Sequence, residues 1–168
     1  MSTLIALDVD GVLVPFDPRT VGSDVTWITC QDYDHATRPE VISELARMTS
    51  QADVIGVWLS PWGSEAAAAF GDHFGSDWPA LTREPDQMVS PRYWWRADAL
   101  ADHLASSEGI TKAIWCEDDA DNFSDHGSIA RLREVCGSKS IEIYFISPDS
   151  RTGMLRVHLD AIAEILDR

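Results

Sequence analysis

The chain has 168 residues and a mass of 18.6 kDa, room for one compact domain spanning 1–168. With 45% apolar residues it can build a core, which excludes wholesale disorder. Acidic residues outnumber basic ones 28 to 13, a net charge of −15 with Lys112 and Lys139 the only lysines, and tight sequence-independent binding to duplex DNA needs more cations than this.

The opening MSTLIALDVDGV lacks a cationic segment, and Asp8 and Asp10 interrupt its apolar run, so it does not read as a secretory signal. No stretch reaches the roughly 18 apolar residues of a membrane span. Cys30, Cys116 and Cys136 have no CxxC spacing and read as free thiols of a reducing compartment. The expectation is a soluble cytoplasmic protein.

Thr3 to Leu7 reads as a buried strand ending in acid, and Val25 to Cys30 as one arm of a small hairpin. Pro39 opens a helix with Val41, Leu45 and Met48 on one face. Asp53 to Leu59 is a second buried strand, stopped by Ser60-Pro61-Trp62-Gly63, and Ser64 caps an alanine-rich helix to about Phe70. Gly71 to Arg92 is irregular. Ala97, Leu100, Ala101 and Leu104 mark the next helix, and Lys112 to Cys116 a third strand that runs into Glu117-Asp118-Asp119. Ile129, Leu132 and Cys136 give another helix face, Ile141 to Ile146 the last strand, and Leu155, Leu159, Ile162 and Leu166 a closing helix. Continuous apolar strands separated by helices predict an α/β fold, a parallel sheet covered on both faces.

In such sheets ligands bind at the carboxyl ends of the strands. Three strands here end in Asp8 (with Asp10 two residues on), in Ser60, and in Glu117-Asp118-Asp119. One acid at a strand end is ordinarily a solvated loop residue. Acid at two ends with a hydroxyl at a third is a constellation that a cation would join, because clustered carboxylates repel one another at low dielectric. Oxygen ligands with no adjacent Cys/His set favour Mg²⁺ over zinc. In Asp8-Val9-Asp10-Gly11-Val12, two carboxylates spaced by two can divide labour, one attacking phosphorus and the other moving a proton, while Gly11 permits an abrupt turn.

DVDGV after a hydrophobic strand resembles the first motif of the haloacid dehalogenase (HAD) superfamily of phosphotransferases. VIGVWLS, ending at Ser60, resembles the second motif, Arg96 in YWWRADAL the third, and AIWCEDD the fourth. More closely, VWLSPWG, WWR-x-x-AL, IWCEDD and PDSRTGMLRVHLDAI resemble small, capless HAD-like proteins common in actinobacteria, a subgroup similar to HAD modules linked to nucleic-acid end repair. The resemblance spans nearly the whole chain. It implies a three-layer, doubly wound, Rossmann-like core with a small flap hairpin and no cap domain. Neither Gly11–Gln51 nor Ser60–Arg96 is long enough for a separately folded cap. An open site of this kind serves large substrates or relies on an oligomer partner to exclude water.

The resemblance also implies roles. Asp8 is the nucleophile that becomes an aspartyl-phosphate, and Asp10 protonates the leaving oxygen and then activates water. Asp8, the Asp10 carbonyl and Asp118 hold Mg²⁺, Ser60 hydrogen-bonds the phosphoryl group, and Arg96 neutralises it. Two positions depart from the family pattern: Arg96 stands where lysine is usual, and Glu117 where aspartate is commoner. Glu117 is thus either a metal ligand or an outer partner, and Asp118 is favoured over Asp119 for the metal. Asp121 reads as a helix cap, His126 as a helix-start residue and His158 as packed on the closing helix. Trp62, Trp94 and Trp95 lie near the proposed site in sequence and could stack on a base or sugar.

The leading expectation is a Mg²⁺-dependent phosphomonoester hydrolase acting on a phosphorylated small molecule or a terminal phosphate. Two alternatives stand beside it: a phosphatase of nucleotide or nucleic-acid ends, and a non-catalytic HAD-fold module that binds a metal or a partner. A receiver-type regulator is set aside, because the last strand ends in Ser147-Pro148 without the lysine such a protein needs.

Overall fold

The computed structural model describes residues 1–30, 32–74, 78–82, 94–120 and 127–168. In chain order its elements are β1 (Ser2–Leu7), a 3₁₀ turn at Pro18–Val21, β2 (Thr26–Cys30), β3 (Tyr33–Thr37), α1 (Pro39–Thr49), β4 (Val54–Trp58), α2 (Ser64–Phe74), α3 (Trp95–Ser106), β5 (Ile110–Cys116), α4 (Gly127–Ser138), β6 (Glu142–Ile146) and α5 (Arg156–Asp167).

The apolar runs of the sequence become a parallel sheet of order β4-β1-β5-β6. Alternation along β1 sorts the two cores. Leu4 and Ala6 pack with α3 and α4 on one face, whereas Ile5 and Leu7 pack with α1, α2 and α5 on the other. Burial on both faces is why these strands carry no polar alternation. The apolar stripe of α1, Val41, Ile42, Leu45 and Met48, is wholly buried, each side chain worth about 1.5–3 kcal/mol against exposure.

The two lysines are spent on helix ends. Lys112 Nζ donates to the Ile165 carbonyl in the last turn of α5 (3.0 Å). Lys139 Nζ donates to the carbonyls of Leu104, Ala105 and Ser107 at the end of α3.

Beyond Gly71 the structure departs from the irregular segment the sequence predicts. Helix α2 runs on to Phe74, because Phe70 and Phe74 lie one turn apart and both pack on Trp58 (ring centroids 5.4 and 5.5 Å). Ser64 is its first helical residue rather than its cap. Residues 79–81 then run along the free edge of β4: Trp58 N–H donates to the Pro79 carbonyl and Leu81 N–H to the Trp58 carbonyl. Trp78 lies flat on Gly56, where any Cβ would meet the indole ring. The edge is thereby covered at its carboxyl end.

β2 and β3 pair antiparallel from Thr26↔Thr37 to Cys30↔Tyr33, the hairpin expected from Val25–Cys30. Among the described residues no helix is long and apolar enough to cross a membrane.

Candidate active site

The chain leaves β1 toward the α1 layer and leaves β5 toward α4 on the opposite face, so the carboxyl ends of these neighbouring strands border a crevice. Asp8 follows β1 and Glu117 follows β5. On the far side of β1, Leu59 N–H still bonds the Leu7 carbonyl, which brings Ser60 to the same edge.

Asp8 is 1% exposed. Its Oδ1 accepts the Val9 N–H at 2.7 Å, whereas Oδ2 has no hydrogen bond and faces Arg96 Nη2 at 3.3 Å. Arg96, the second residue of α3, places Nη1 2.9 and 3.0 Å from the two oxygens of Glu117, which is fully buried. One guanidinium thus spans two buried carboxylates. The Trp95 ring lies 5.7 Å from its central carbon.

Burial pushes Asp8 up to about 7, with the Arg96 charge, the Val9 N–H and the Ser60 hydroxyl acting the other way. Burial, and then the charge of Asp8, pushes Glu117 up to about 9. Asp118 is raised too, chiefly by burial. A single Arg96 does not discharge the group.

Oxygens of Asp8, Glu117 and Asp118 lie within 4.8 Å of one another. Asp118 reaches this position by lying against the Gly11 backbone, where φ is +73° and a Cβ would land on the Asp118 carboxylate. Gly11 therefore serves close approach as well as the turn.

Beyond Asp8 the chain turns sharply, with the N–H groups of Leu13 and Val14 both returning to the Val9 carbonyl. This turn carries Asp10, whose Oδ2 accepts the Trp62 indole N–H at 2.9 Å. The Trp62 ring packs on His35 of β3 (4.7 Å). The turn is braced from the far end of the chain. Met154 N–H donates to the Val12 carbonyl (2.7 Å), and Phe16 N–H to the Ser150 carbonyl. Buried Arg38, just before α1, donates Nη2 to the Thr20 carbonyl (2.6 Å) and Nη1 to the Thr152 carbonyl. The PDSRTGM segment, noted in the sequence without a role, is this brace.

Two concavities adjoin the carboxylates. Ser60, Gly63, Thr82 and Trp95 border one of about 330 Å³. Asp10, Phe16, Trp27, Asp34 and His35 border a groove of about 400 Å³ in which Phe16 and Trp27 stay largely exposed.

Of the residues singled out in the sequence, Asp8, Arg96, Glu117 and Asp118 converge, with Ser60 and Asp10 alongside. Asp119 is outside the cluster of carboxylate oxygens. Trp94 is not available for stacking on a ligand: it is buried against Trp115 (4.8 Å). His158 caps α5 by accepting the Leu155 N–H on Nδ1 (2.9 Å) rather than simply packing. Asp121 and His126 lie outside the described residues. Sequence reasoning missed His35, Arg38 and the bond from Trp62 to Asp10. An arginine directly before a helix-opening proline gives no local sign of burial, and a contact across 52 residues leaves no periodicity.

No protein-family model matches the chain, and no curated protein matches it significantly. Among solved structures it is similar to the HAD domain of the effector protein Lem4 from Legionella pneumophila, determined as an inactive mutant. The TM-score is 0.57 at 12% identity, over 99% of this chain and 94% of that one. The fold is HAD-like. In this HAD-like core the acidic group sits where strand order places the crevice.

The donor set of that crevice fits a hard divalent cation. It is all oxygen, Asp8 keeps a buried oxygen without a hydrogen bond, and burial raises the cost of leaving its carboxylates ionised without a counter-charge. Arg96 already engages both oxygens of Glu117, so Asp8 and Asp118 are the side chains that would hold Mg²⁺, with Glu117 holding Arg96.

Proposed function

We propose that this protein is a Mg²⁺-dependent phosphomonoester hydrolase working through an aspartyl-phosphate on Asp8. The observation that carries the reading is a buried Asp8 whose unbonded Oδ2 faces Arg96 and whose carboxylate clusters with those of Asp118 and Glu117. Bound Mg²⁺ supplies charge neutralisation for the carboxylates and the phosphoryl oxygens.

Asp8 attacks phosphorus, and the ester P–O bond breaks with its electron pair going to the leaving oxygen. Asp10 gives that oxygen a proton. Water then attacks phosphorus with Asp10 taking its proton, the Asp8–phosphorus bond breaks, and inorganic phosphate leaves. Arg96 and the Ser60 hydroxyl hold the transferring group.

The groove beside Asp10, bordered by Phe16 and Trp27, is the candidate seat of the leaving group. Its exposed aromatic surface favours a substrate with an aromatic portion, in keeping with the nucleotide reading, and its acids Asp10 and Asp34 disfavour a polyanionic tail. The test is hydrolysis of an aryl phosphate with and without Mg²⁺, by wild type and Asp8→Asn. Metal-dependent turnover lost in Asp8→Asn supports the proposal. Absence of turnover together with absence of any Mg²⁺ effect on the melting temperature leaves the non-catalytic module as the better reading.

A further inference from the structure

Trp62 is two residues past Ser60, in the loop that closes β4. Its backbone N–H points at Ser60 Oγ (3.4 Å) and its indole N–H at Asp10 Oδ2 (2.9 Å). The ring cannot drift, because His35 packs on it from β3 at 4.7 Å and Phe70 from α2 at 6.2 Å. An indole nitrogen only donates, so the oxygen it faces cannot present a proton to it. In a carboxylic acid the carbonyl-type oxygen is the stronger acceptor, so the indole N–H on Oδ2 favours the arrangement with the proton on Oδ1.

We infer that Trp62 is a positioning residue for Asp10: its indole N–H fixes the carboxyl rotamer and assigns the transferable proton to Oδ1. The inference rests on the phosphatase reading above, with Asp10 as the group that protonates the leaving oxygen. The hairpin enters through His35, which holds the ring that holds the acid.

A proton delivered at the right place matters most for esters whose alkoxide is a poor leaving group, and little for esters that depart unaided. The experiment therefore compares kcat/KM on ethyl phosphate and on p-nitrophenyl phosphate, for wild type and Trp62→Phe, with melting temperatures measured alongside. Phe keeps the ring packing and removes the N–H. The expected result is a loss of about ten-fold or more on ethyl phosphate and less than about three-fold on p-nitrophenyl phosphate, in line with losing one hydrogen bond to a carboxylate. If Trp62→Phe does not fold, benzothienylalanine at position 62 removes the N–H with almost no change of shape.

Equal losses on both esters, or no loss on either, overturn the inference while leaving the phosphatase intact. Wild type inert on both esters overturns the phosphatase reading, and the inference with it.

Discussion

Arg96 Nη1 sits 2.9 and 3.0 Å from the two oxygens of Glu117, which joins the two positions where the chain departs from the HAD motifs it resembles. By that resemblance a guanidinium would stand where an ammonium is usual, and the carboxylate facing it belongs to the longer acid. The same side chain reaches Asp8 Oδ2 with Nη2 at 3.3 Å. The two departures are complementary: a planar fork can serve two acids at once, which a point charge on a flexible stem does less well.

This pairing predicts strong coupling between the two positions. Arg96→Lys and Glu117→Asp should each lower kcat/KM by about ten-fold or more, and the double variant should retain more activity than the product of the single losses. Arg96→Met removes the cation facing two buried carboxyls and should lower stability by urea unfolding, by up to about 3–5 kcal/mol at a pH where both are ionised.

The raised carboxyls predict a pH dependence of stability. Asp8 and Glu117 move from 3.8 and 4.5 to about 7 and about 9 on folding, chiefly through burial. The folded state thus binds more protons than the unfolded state between those values. Their contribution is full below the unfolded values and is lost as pH rises through the folded ones. Without divalent metal the melting temperature should fall from about pH 5 to about pH 8, and Mg²⁺ should raise it more at the higher pH. Asp8→Asn should flatten the lower part of that decline.

Gly11→Ala tests the close approach of Asp118. The φ of +73° costs an alanine about 1–2 kcal/mol, and the new Cβ occupies the space of the Asp118 carboxylate. The variant should fold with a modestly lower melting temperature and lose most of the Mg²⁺-dependent stabilisation.

Arg38→Met removes the donors to the Thr20 and Thr152 carbonyls and should cost about 1–3 kcal/mol. Amide exchange should quicken in residues 11–20 and 149–154 before it does in the sheet, since the brace joins those two segments.

The strands along the chain and the residues at their ends were legible because buried parallel strands are uninterrupted apolar runs, and a polar residue marks where each stops, whereas their order in the sheet was not legible. Asp8, Ser60 and Glu117 share one edge only if their strands are neighbours, which the sheet order supplies. The Trp62–Asp10 bond, the Arg38 clamp and the Trp78–Gly56 contact were not legible. Each depends on two segments meeting in space, and indole, guanidinium and glycine carry no pattern of their own. The extent of α2 was missed for a related reason: Gly71 reads as a breaker, while Phe70 and Phe74 packed on Trp58 override it.

The most direct test of the central claim is to trap the intermediate. Protein mixed with an aryl phosphate and Mg²⁺ is quenched in acid, reduced with borohydride and read by peptide mass spectrometry. A phosphoryl ester on Asp8 appears as homoserine at position 8, formed only with metal and substrate present. Turnover with no label at Asp8, or with label at another carboxylate, would contradict the account.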